Sequence, residues 1–274
     1  MKVYSENLTE IPDSDGFQPF MTAYIIDKND DGLRPCVVIC PGGAYSFLAE
    51  NWEGERTAMA YAAAGFNAVV VNYTTYPGGT YPCQLKQLAK AIRICRERAA
   101  EWQINPEQIA VCGFSAGGHL AASLSTLWNS ETVFSRDEIA ERIYRPNAAI
   151  LCYPVITSGV HAHKPSIQNL TGTKEEKDCA YWDFLSLETR VNDGTPPAFI
   201  WHTVDDTDVP VENSLYYAEA LRKSNIPFEL HLYPKGGHGL QLATQNLLRK
   251  RSVFKRNYNW HAMSVDWLAD LYGL

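Results

Sequence analysis

Residues 108–128 read QIAVCGFSAGGHLAASLSTLW, and one serine in this stretch stands between glycines. A short apolar run, typical of a buried strand, ends at Gly113, and a run of helix-forming residues follows Ser115. A serine at such a strand-to-helix junction matches the pattern G-x-S-x-G, whose tight turn lifts the side chain clear of the sheet. The pattern predicts that Ser115 is a nucleophile. Gly113 and Gly117 are required because a side chain at either position would collide with neighbouring backbone.

The rest of the chain alternates between strand-like and helix-like segments. Strands are predicted at 35–40, 67–73, 109–113, 148–153, 198–202 and 228–233, with an earlier antiparallel edge strand within 17–27. Helices are predicted at 52–64, 82–102, 116–128, 211–224 and 259–272. Because the strand segments are apolar on both faces, they predict an α/β fold with a mostly parallel central sheet and helices on both faces. A length of 274 residues fits one domain, residues 1–274.

One polar stretch, from about 154 to 195, interrupts this alternation. Insertions between strands usually lie over the strand ends, where binding sites are built. The stretch is interpreted as a lid or a substrate-shaping segment.

Composition narrows the choice of partners and compartment. The formal net charge is −7, which argues against a surface for nucleic acid or anionic lipid. No apolar run reaches the ~20 residues of a membrane span, and the first residues lack a secretory signal pattern. The seven cysteines form neither a C-x-x-C pair nor a Cys/His cluster with zinc spacing, so free thiols, no metal site and a reducing, cytoplasmic location are expected.

A nucleophilic serine needs a base, and the base needs an acid to orient it. Acidic residues follow the predicted strand 198–202, namely Asp205, Asp206 and Asp208, and His238 lies in a glycine-rich loop after strand 228–233. This is the chain order Ser, acid, His that the hydrolase pattern demands. Taken singly, the acidic loop could be solvated surface and the histidine could be exposed. Their order at the ends of successive strands favours a catalytic triad.

A further loop, CPGGAYSF at residues 40–47, follows the strand 35–40. Backbone N–H groups of Gly43 and Ala44 there, with that of Ala116 after the serine, are predicted to bind the oxyanion that forms when an ester is attacked.

Together these stretches resemble the α/β-hydrolase superfamily, and within it the small acetyl esterases, acetylxylan esterases and BD-FAE-like carboxylesterases. The resemblance runs from about residue 35 to 240, through PGGAYSF with EGE at 53–55, through GFSAGGHLAAS, and through the long segment PAFIWHTVDDTDVPVENSLYYAEALRKSNIPFELHLYPKGGHG. It implies an α/β-hydrolase fold and assigns the acid to Asp206, within His202–Pro210, with Asp205 as the alternative. Thr203 replaces the glycine of the family's pattern, and Pro41 replaces a histidine common in related lipases.

Other candidates have ordinary structural interpretations beside functional ones. His119, one turn into the helix after the serine, is interpreted as a packing residue, and a loop role is favoured over metal binding for His161 and His163. Glu53 and Glu55 are interpreted as favouring the start of their helix rather than binding substrate. Four aromatic residues are candidates for stacking on a sugar, and only the first, which lies in the 40–47 loop, is kept as a substrate-binding residue: Tyr45, Trp52, Tyr76 and Trp182.

The expected function is a serine carboxylic-ester hydrolase that forms an acyl-enzyme on short acyl esters and needs no cofactor. By resemblance, the small-molecule substrate is an acetylated sugar. Two alternatives stay open: a non-catalytic binding protein on the same fold, and a peptidase of the prolyl oligopeptidase-like class. The oligomeric state is also open, a homodimer included.

Overall fold

An eight-stranded sheet organises the computed structural model, which describes residues 1–27, 32–174, 180–250 and 258–274. Its strands are β1 (Lys2–Asn7), β2 (Phe20–Ile25), β3 (Arg34–Cys40), β4 (Asn67–Asn72), β5 (Ile104–Phe114), β6 (Ala148–Cys152), β7 (Ala198–Thr203) and β8 (Phe228–Tyr233). The order across the sheet is β1-β2-β4-β3-β5-β6-β7-β8. The first two strands run antiparallel to their neighbours and the remaining pairs are parallel, which confirms the predicted mostly parallel sheet.

Helices cover both faces of this sheet, as predicted. Those in the described residues are α1 (Arg56–Ala63), α2 (Cys83–Glu97), α3 (Ala99–Trp102), α4 (Ala116–Leu127), α5 (Arg136–Ala140), α6 (Lys164–Thr171), α7 (Glu212–Lys223), α8 (Gln245–Lys250) and α9 (Trp260–Tyr272). On one face α2, α4 and α7 enclose one apolar cluster, and on the other α1 and α9 enclose a second. Successive strand residues contribute to opposite clusters, which is why these strands are apolar throughout.

None of these helices, among the residues the structure describes, has the length and apolarity that crossing a bilayer requires.

The amino-terminal part differs from the prediction. The segment 17–27 does contain an antiparallel strand, β2, but it is not at the edge, because β1 pairs along its outer side. β1 reads KVYSEN and is mostly exposed or half-buried, so it lacks the apolar pattern that reveals a buried strand.

Two predicted helices also differ in detail. The segment 82–102 is divided at Arg98 into α2 and α3. The Trp102 ring at the end of α3 lies in the core, stacked on Tyr4 of β1 with ring centroids 5.6 Å apart. The segment 52–64 begins as a π-helical turn over Glu50–Glu55 before α1 starts.

The polar stretch 154–195 folds as α6 and two 3₁₀ turns, Asp183–Leu185 and Leu187–Thr189, apart from residues 175–179, which lie outside the described residues together with Cys179. It packs closely on the rest of the molecule, since several of its apolar side chains are buried: Val155, Ile156, Ile167, Leu170, Trp182, Leu185 and Leu187.

The parallel register brings the loops of interest to one edge of the sheet. Cys40 at the end of β3 pairs with Gly113 near the end of β5, and Thr203 at the end of β7 pairs with Tyr233 at the end of β8. The chain leaves β3 for β4 on one side and continues to β5 on the other. The carboxyl ends of β3 and β5 therefore flank a switch in strand order, where α/β folds place their ligand sites.

Candidate active site

Ser115 lies in the tight turn between β5 and α4. Its φ of 51° and ψ of −118° are unusual for a residue with a side chain, and the turn is held on both sides. The Ser115 N–H donates to Cys152 O at 3.0 Å, and Ser115 O accepts from the N–H groups of His119 and Val155 at 3.1 and 3.0 Å. The side chain thus projects from a fixed backbone at the end of the sheet.

The glycines beside this turn are required by close backbone contacts. A Cβ on Gly113 would lie 2.1 Å from Gly117 O, and a Cβ on Gly117 would lie 2.1 Å from Cys40 O and 2.4 Å from Pro41 O. The predicted collisions are therefore present. The second one means that the start of α4 lies directly against the loop that follows β3.

The structure brings Ser115, His238 and Asp206 together in one hydrogen-bonded chain. Ser115 Oγ is 2.8 Å from His238 Nε2, and His238 Nδ1 is 2.7 Å from Asp206 Oδ2. Because Nδ1 faces a carboxylate, Nδ1 carries the hydrogen and Nε2 is free to accept from the serine hydroxyl. The imidazole is part-exposed and the carboxylate side chain is fully buried.

Both oxygens of the Asp206 carboxylate accept hydrogen bonds from two donors each. Oδ1 accepts from the N–H groups of Asp208 and Val209, while Oδ2 accepts from His238 and from His202 Nε2 at 3.2 Å. Burial alone would raise the pKa of Asp206, but the hydrogen bonds from His202 and His238 outweigh it and hold this pKa well below its ordinary value. Asp206 is therefore a carboxylate throughout the neutral range.

His202 is a residue of this network whose contact with the acid the sequence interpretation missed. Its Nε2 lies near two acceptors, Asp206 Oδ2 and Val209 O, and its Nδ1 lies 2.8 Å from Ser214 Oγ. Nε2 therefore carries the hydrogen and Nδ1 accepts from the serine hydroxyl. The sequence did indicate that His202 lies near the acid, since it is the first residue of the segment His202–Pro210 that contains Asp206.

Asp205, the alternative acid, has a different contact. Its Oδ1 accepts from the Gly237 N–H at 2.9 Å, and Thr203 Oγ1 donates to Gly237 O at 2.8 Å. Both contacts fix the loop that carries His238. Gly237 and Gly239 have φ values of 67° and 73°, which a glycine adopts without strain.

The loop after β3 is held at every carbonyl from Pro41 to Tyr45. Two of these oxygens accept from the loop itself, Gly42 O from Ala49 N–H (2.9 Å) and Gly43 O from Ser46 N–H (2.9 Å). The other three accept from the loop after β4 or from α6: Pro41 O from Tyr73 OH (2.6 Å), Tyr45 O from Tyr76 N–H (2.7 Å) and Ala44 O from Asn169 Nδ2 (2.9 Å). Because a trans peptide directs its N–H opposite to its C=O, these bonds also fix the directions of the N–H groups.

The three predicted oxyanion donors lie in this arrangement. Within the described residues, the N–H groups of Gly43, Ala44 and Ala116 have no hydrogen-bond partner, whereas the N–H of Gly42 donates to Glu53 Oε2 at 2.8 Å. Ala116 is also the first residue of α4, where the helix dipole favours negative charge.

Glu53 does not simply favour the start of its helix, which corrects the sequence interpretation. It is 5% exposed, and besides Gly42 it accepts from Tyr153 OH, which lies 2.7 Å from Oε1. Burial raises the pKa of Glu53, and the hydrogen bonds from Tyr153 and Gly42 act against that rise. The hydrogen bond from Tyr153 to Glu53 could not be predicted from the sequence, because no motif marks this tyrosine among the many aromatic residues of the chain.

Tyr45 does not fit its predicted role as a substrate-binding residue. Its side chain is fully buried, and its hydroxyl lies 3.0 Å from His119 Nδ1. His119 Nε2 in turn donates to Leu185 O at 3.0 Å, and burial lowers the pKa of His119 to about 4, so its imidazole is neutral. His119 is therefore a packing residue, as interpreted from the sequence.

The other aromatic and histidine candidates are dispersed. Trp182 is buried and donates from Nε1 to Ser158 O, while Trp52 and Tyr76 are exposed. The His161 ring packs on Tyr216, and His163 Nδ1 lies 2.8 Å from Ser166 Oγ. Burial lowers the pKa of His163, and the charge of His238 acts in the same direction, so His163 belongs to the surroundings of the site.

The sheet order and the helices on both faces define the class of the fold, the α/β hydrolases. Within that class the chain belongs to the BD-FAE family, whose model matches residues 23–221.

Individual relatives agree with this placement. The chain is 38% identical over 245 residues to endo-1,4-beta-xylanase B of Butyrivibrio fibrisolvens, a match that covers 88% of this chain and 38% of that protein. It is 35% identical over 211 residues to an acetylxylan esterase of Xylanibacter ruminicola, covering 76% of this chain and 41% of that protein. The chain thus spans about two fifths of the length of these curated relatives.

One solved structure matches this chain over nearly the whole length of both proteins. The acetyl ester-xyloside bifunctional hydrolase of Caldicellulosiruptor lactoaceticus is 35% identical, with a TM-score of 0.83, and the match covers 98% of this chain and 96% of that one.

Replacing Tyr45 by phenylalanine separates a substrate-binding role from a structural one. We expect KM for an acetyl ester to stay within about twofold of wild type. The free energy of unfolding should fall by about 1–2 kcal/mol, because His119 Nδ1 loses its best-placed donor in a buried environment. Urea unfolding and steady-state kinetics measure the two quantities. A large rise in KM without a loss of stability would restore the substrate-binding interpretation.

Proposed function

We propose that the chain is a serine carboxylic-ester hydrolase that acts through an acyl-enzyme on short acyl esters. The observation that carries the proposal is the continuous hydrogen-bonded chain from Ser115 Oγ through His238 to Asp206. Ester hydrolysis itself is the activity named for relatives of the chain.

In the proposed acylation, His238 Nε2 takes the proton of the Ser115 hydroxyl as its oxygen attacks the ester carbonyl. Asp206 keeps the imidazole in the required tautomer and stabilises its positive charge. The alcohol leaves with the proton from His238. A water molecule then attacks the acyl group with His238 as base, which releases the acid and restores the serine.

The oxyanion of each tetrahedral intermediate is proposed to bind at the N–H groups of Gly43 or Ala44 together with that of Ala116. Two properties support this assignment: these N–H groups have no partner within the described part of the chain, and the loop carbonyls are all held. Donors fixed before the reaction stabilise developing charge without reorganisation, and one such donor is commonly worth about 10²–10³ in rate.

The proposed substrate is an acetylated sugar. Support comes from two relatives, an acetylxylan esterase and an acetyl ester-xyloside bifunctional hydrolase. Two exposed aromatic residues adjoin the loop after β3, and rings of this kind suit a sugar face: Phe47 lies in that loop, and Tyr76 donates its N–H to Tyr45 O. The proposal includes one catalytic domain with residues 154–195 as its substrate-shaping segment, supported by the bond from Asn169 to the loop after β3. It also includes a reducing, cytoplasmic location, supported by the six free cysteines among the described residues.

The two alternatives are separated on different grounds. A non-catalytic binding protein has no need of an imidazole aligned between a hydroxyl and a buried carboxylate, and all three groups are in place here. The peptidase alternative is decided by comparing hydrolysis of esters with hydrolysis of matched amides.

Replacing Ser115 by alanine tests the nucleophile. We expect hydrolysis of p-nitrophenyl acetate to fall by about 10³-fold or more, because the acyl-enzyme cannot form. A fluorophosphonate probe should label the wild-type protein at Ser115 and leave the variant unlabelled. Near-normal turnover by the variant would contradict the proposal.

The two neighbouring aspartates are expected to differ in the reaction. Asp206→Asn should lower kcat by about 10³–10⁴-fold, because His238 loses the carboxylate that fixes its tautomer. Asp205→Asn, the matched control, should lose much less, since its carboxylate accepts from the N–H of Gly237 in the loop and not from the imidazole of His238. Parallel kcat measurements decide the assignment, and a larger loss in the Asp205 variant would reverse it.

A substrate panel tests the proposed substrate class. We expect kcat/KM to fall along p-nitrophenyl acetate, butyrate and octanoate, and to be at least about tenfold higher for an acetylated xylo-oligosaccharide than for a simple acetate ester. Matched amide substrates should be hydrolysed far more slowly. Preference for long acyl chains or for the amides would contradict this part of the proposal.

A further inference from the structure

Glu53 is a carboxylate in a place where a negative charge is costly. The residue is 5% exposed, and within the described part of the chain no lysine or arginine forms an ion pair with it. Its oxygens are instead satisfied by the Gly42 N–H and by the Tyr153 hydroxyl. A buried charge held only by neutral donors needs an explanation.

The position of Glu53 relative to the nucleophile suggests one. A Cβ placed on Gly42 would lie 2.8 Å from Glu53 Oε2 and 3.1 Å from Ser115 Cβ, so the carboxylate and the serine flank the same glycine. The peptide between Pro41 and Gly42 is held from both sides, by Tyr73 OH at its oxygen and by Glu53 at its N–H. That peptide immediately precedes the N–H groups proposed for the oxyanion.

The same carboxylate is linked to the loop that carries the base. The Tyr153 hydroxyl, which donates to Glu53, accepts from the Gln241 N–H at 2.9 Å. The Tyr153 ring also packs edge-on against His238, with ring centroids 5.0 Å apart and an angle of 72° between the planes. The negative charge of Glu53 is close enough to interact favourably with a protonated His238.

We propose that Glu53 is a positioning residue for ester hydrolysis, whose charge orients the Pro41–Gly42 peptide and, together with Asp206, stabilises the His238 imidazolium. This inference rests on the proposed function. Glu53 does not touch the reacting atoms. It acts through Gly42 on the oxyanion donors and through space on the base.

The charge state of Glu53 sets the expected pH dependence. The titratable groups that face it are the phenols of Tyr73 and Tyr153, the thiol of Cys152 and the imidazole of His238. Burial raises the pKa values of Tyr73, Tyr153 and Cys152 well above their ordinary values, so these three groups stay neutral. Burial also raises the pKa of Glu53, so its contribution is complete well above this pKa and is lost as the pH falls through it.

Glu53→Gln removes the charge and keeps the shape, and Glu55→Gln is the matched control, because Glu55 is an exposed glutamate of the same turn. The glutamine oxygen can still accept from Gly42 and its amide group can donate to Tyr153. We expect kcat to fall by about 10- to 100-fold with KM nearly unchanged. The acid limb of kcat/KM, measured from about pH 5 to 9, should move to lower pH, because an imidazole with fewer negative neighbours protonates less readily.

The variant Tyr153→Phe is an independent test of the role of Glu53. It removes a hydrogen bond that stabilises the charged form of Glu53, so Glu53 should protonate more readily and the acid limb should move to higher pH. A residue with a purely structural role would lower the rate without these opposite shifts. Urea unfolding of each variant accompanies the kinetics.

The outcomes separate this inference from the proposed function. If Ser115→Ala is inactive while Glu53→Gln matches Glu55→Gln in kcat and in its acid limb, the inference fails and the proposed function stands. Acid limbs that move in the same direction in both variants also overturn the inference. If Glu53→Gln does not fold, Tyr153→Phe is sufficient as a test. An acid limb of that variant at the same pH as in the wild type then overturns the inference. Full activity of Ser115→Ala would instead remove the proposed function and the inference together.

Discussion

The contact on which this site depends is the approach of two stretches of backbone, at Gly117 and at Cys40–Pro41. A single Cβ on Gly117 would lie 2.1 Å from Cys40 O, so no other residue fits without moving one of the two elements. Because β3 and β5 are parallel neighbours, the loop after one and the helix after the other begin at the same level. Their close approach puts the loop that carries the N–H groups of Gly43 and Ala44 beside the strained serine turn.

Three acidic residues near His238 differ in what they hold. Asp206 binds the imidazole itself and has two backbone donors and His202 to keep it ionised. Asp205 fixes the Gly237 peptide in the loop that carries the imidazole. Glu53 accepts from the N–H of Gly42 and so holds the loop after β3. Neighbouring carboxylates of one chemical type therefore acquire separate roles from the donors that surround them.

The segment 154–195 is connected to this site by hydrogen bonds as well as by packing. Asn169 Nδ2 donates to Ala44 O in the loop after β3, and His119 of α4 donates to Leu185 O. The Val155 N–H donates to the carbonyl of Ser115 itself. The orientation of the loop peptides thus depends partly on a segment that lies more than a hundred residues away in the chain.

The sequence alone was sufficient for the α/β class, the mostly parallel sheet and the position of Ser115, because buried parallel strands are apolar throughout and the glycines around the serine have a steric reason. Chain order also singled out His238 and the acidic loop. β1 was missed because an exposed edge strand has little apolar pattern, and Arg98 gave no sign of the break between α2 and α3.

The resemblance favoured Asp206 over Asp205, but only the tertiary structure gives the physical difference: Asp206 contacts the His238 imidazole, whereas Asp205 contacts the N–H of Gly237 in the same loop. The tertiary structure also shows that Tyr45 lies in the core and not on a substrate surface, and that Glu53 is buried against the loop after β3. These contacts join residues between 11 and 100 positions apart, such as Glu53 with Gly42 and with Tyr153. Periodicity and motifs report local geometry, whereas the direction of a side chain across such a distance is decided when the strands pair and the helices pack.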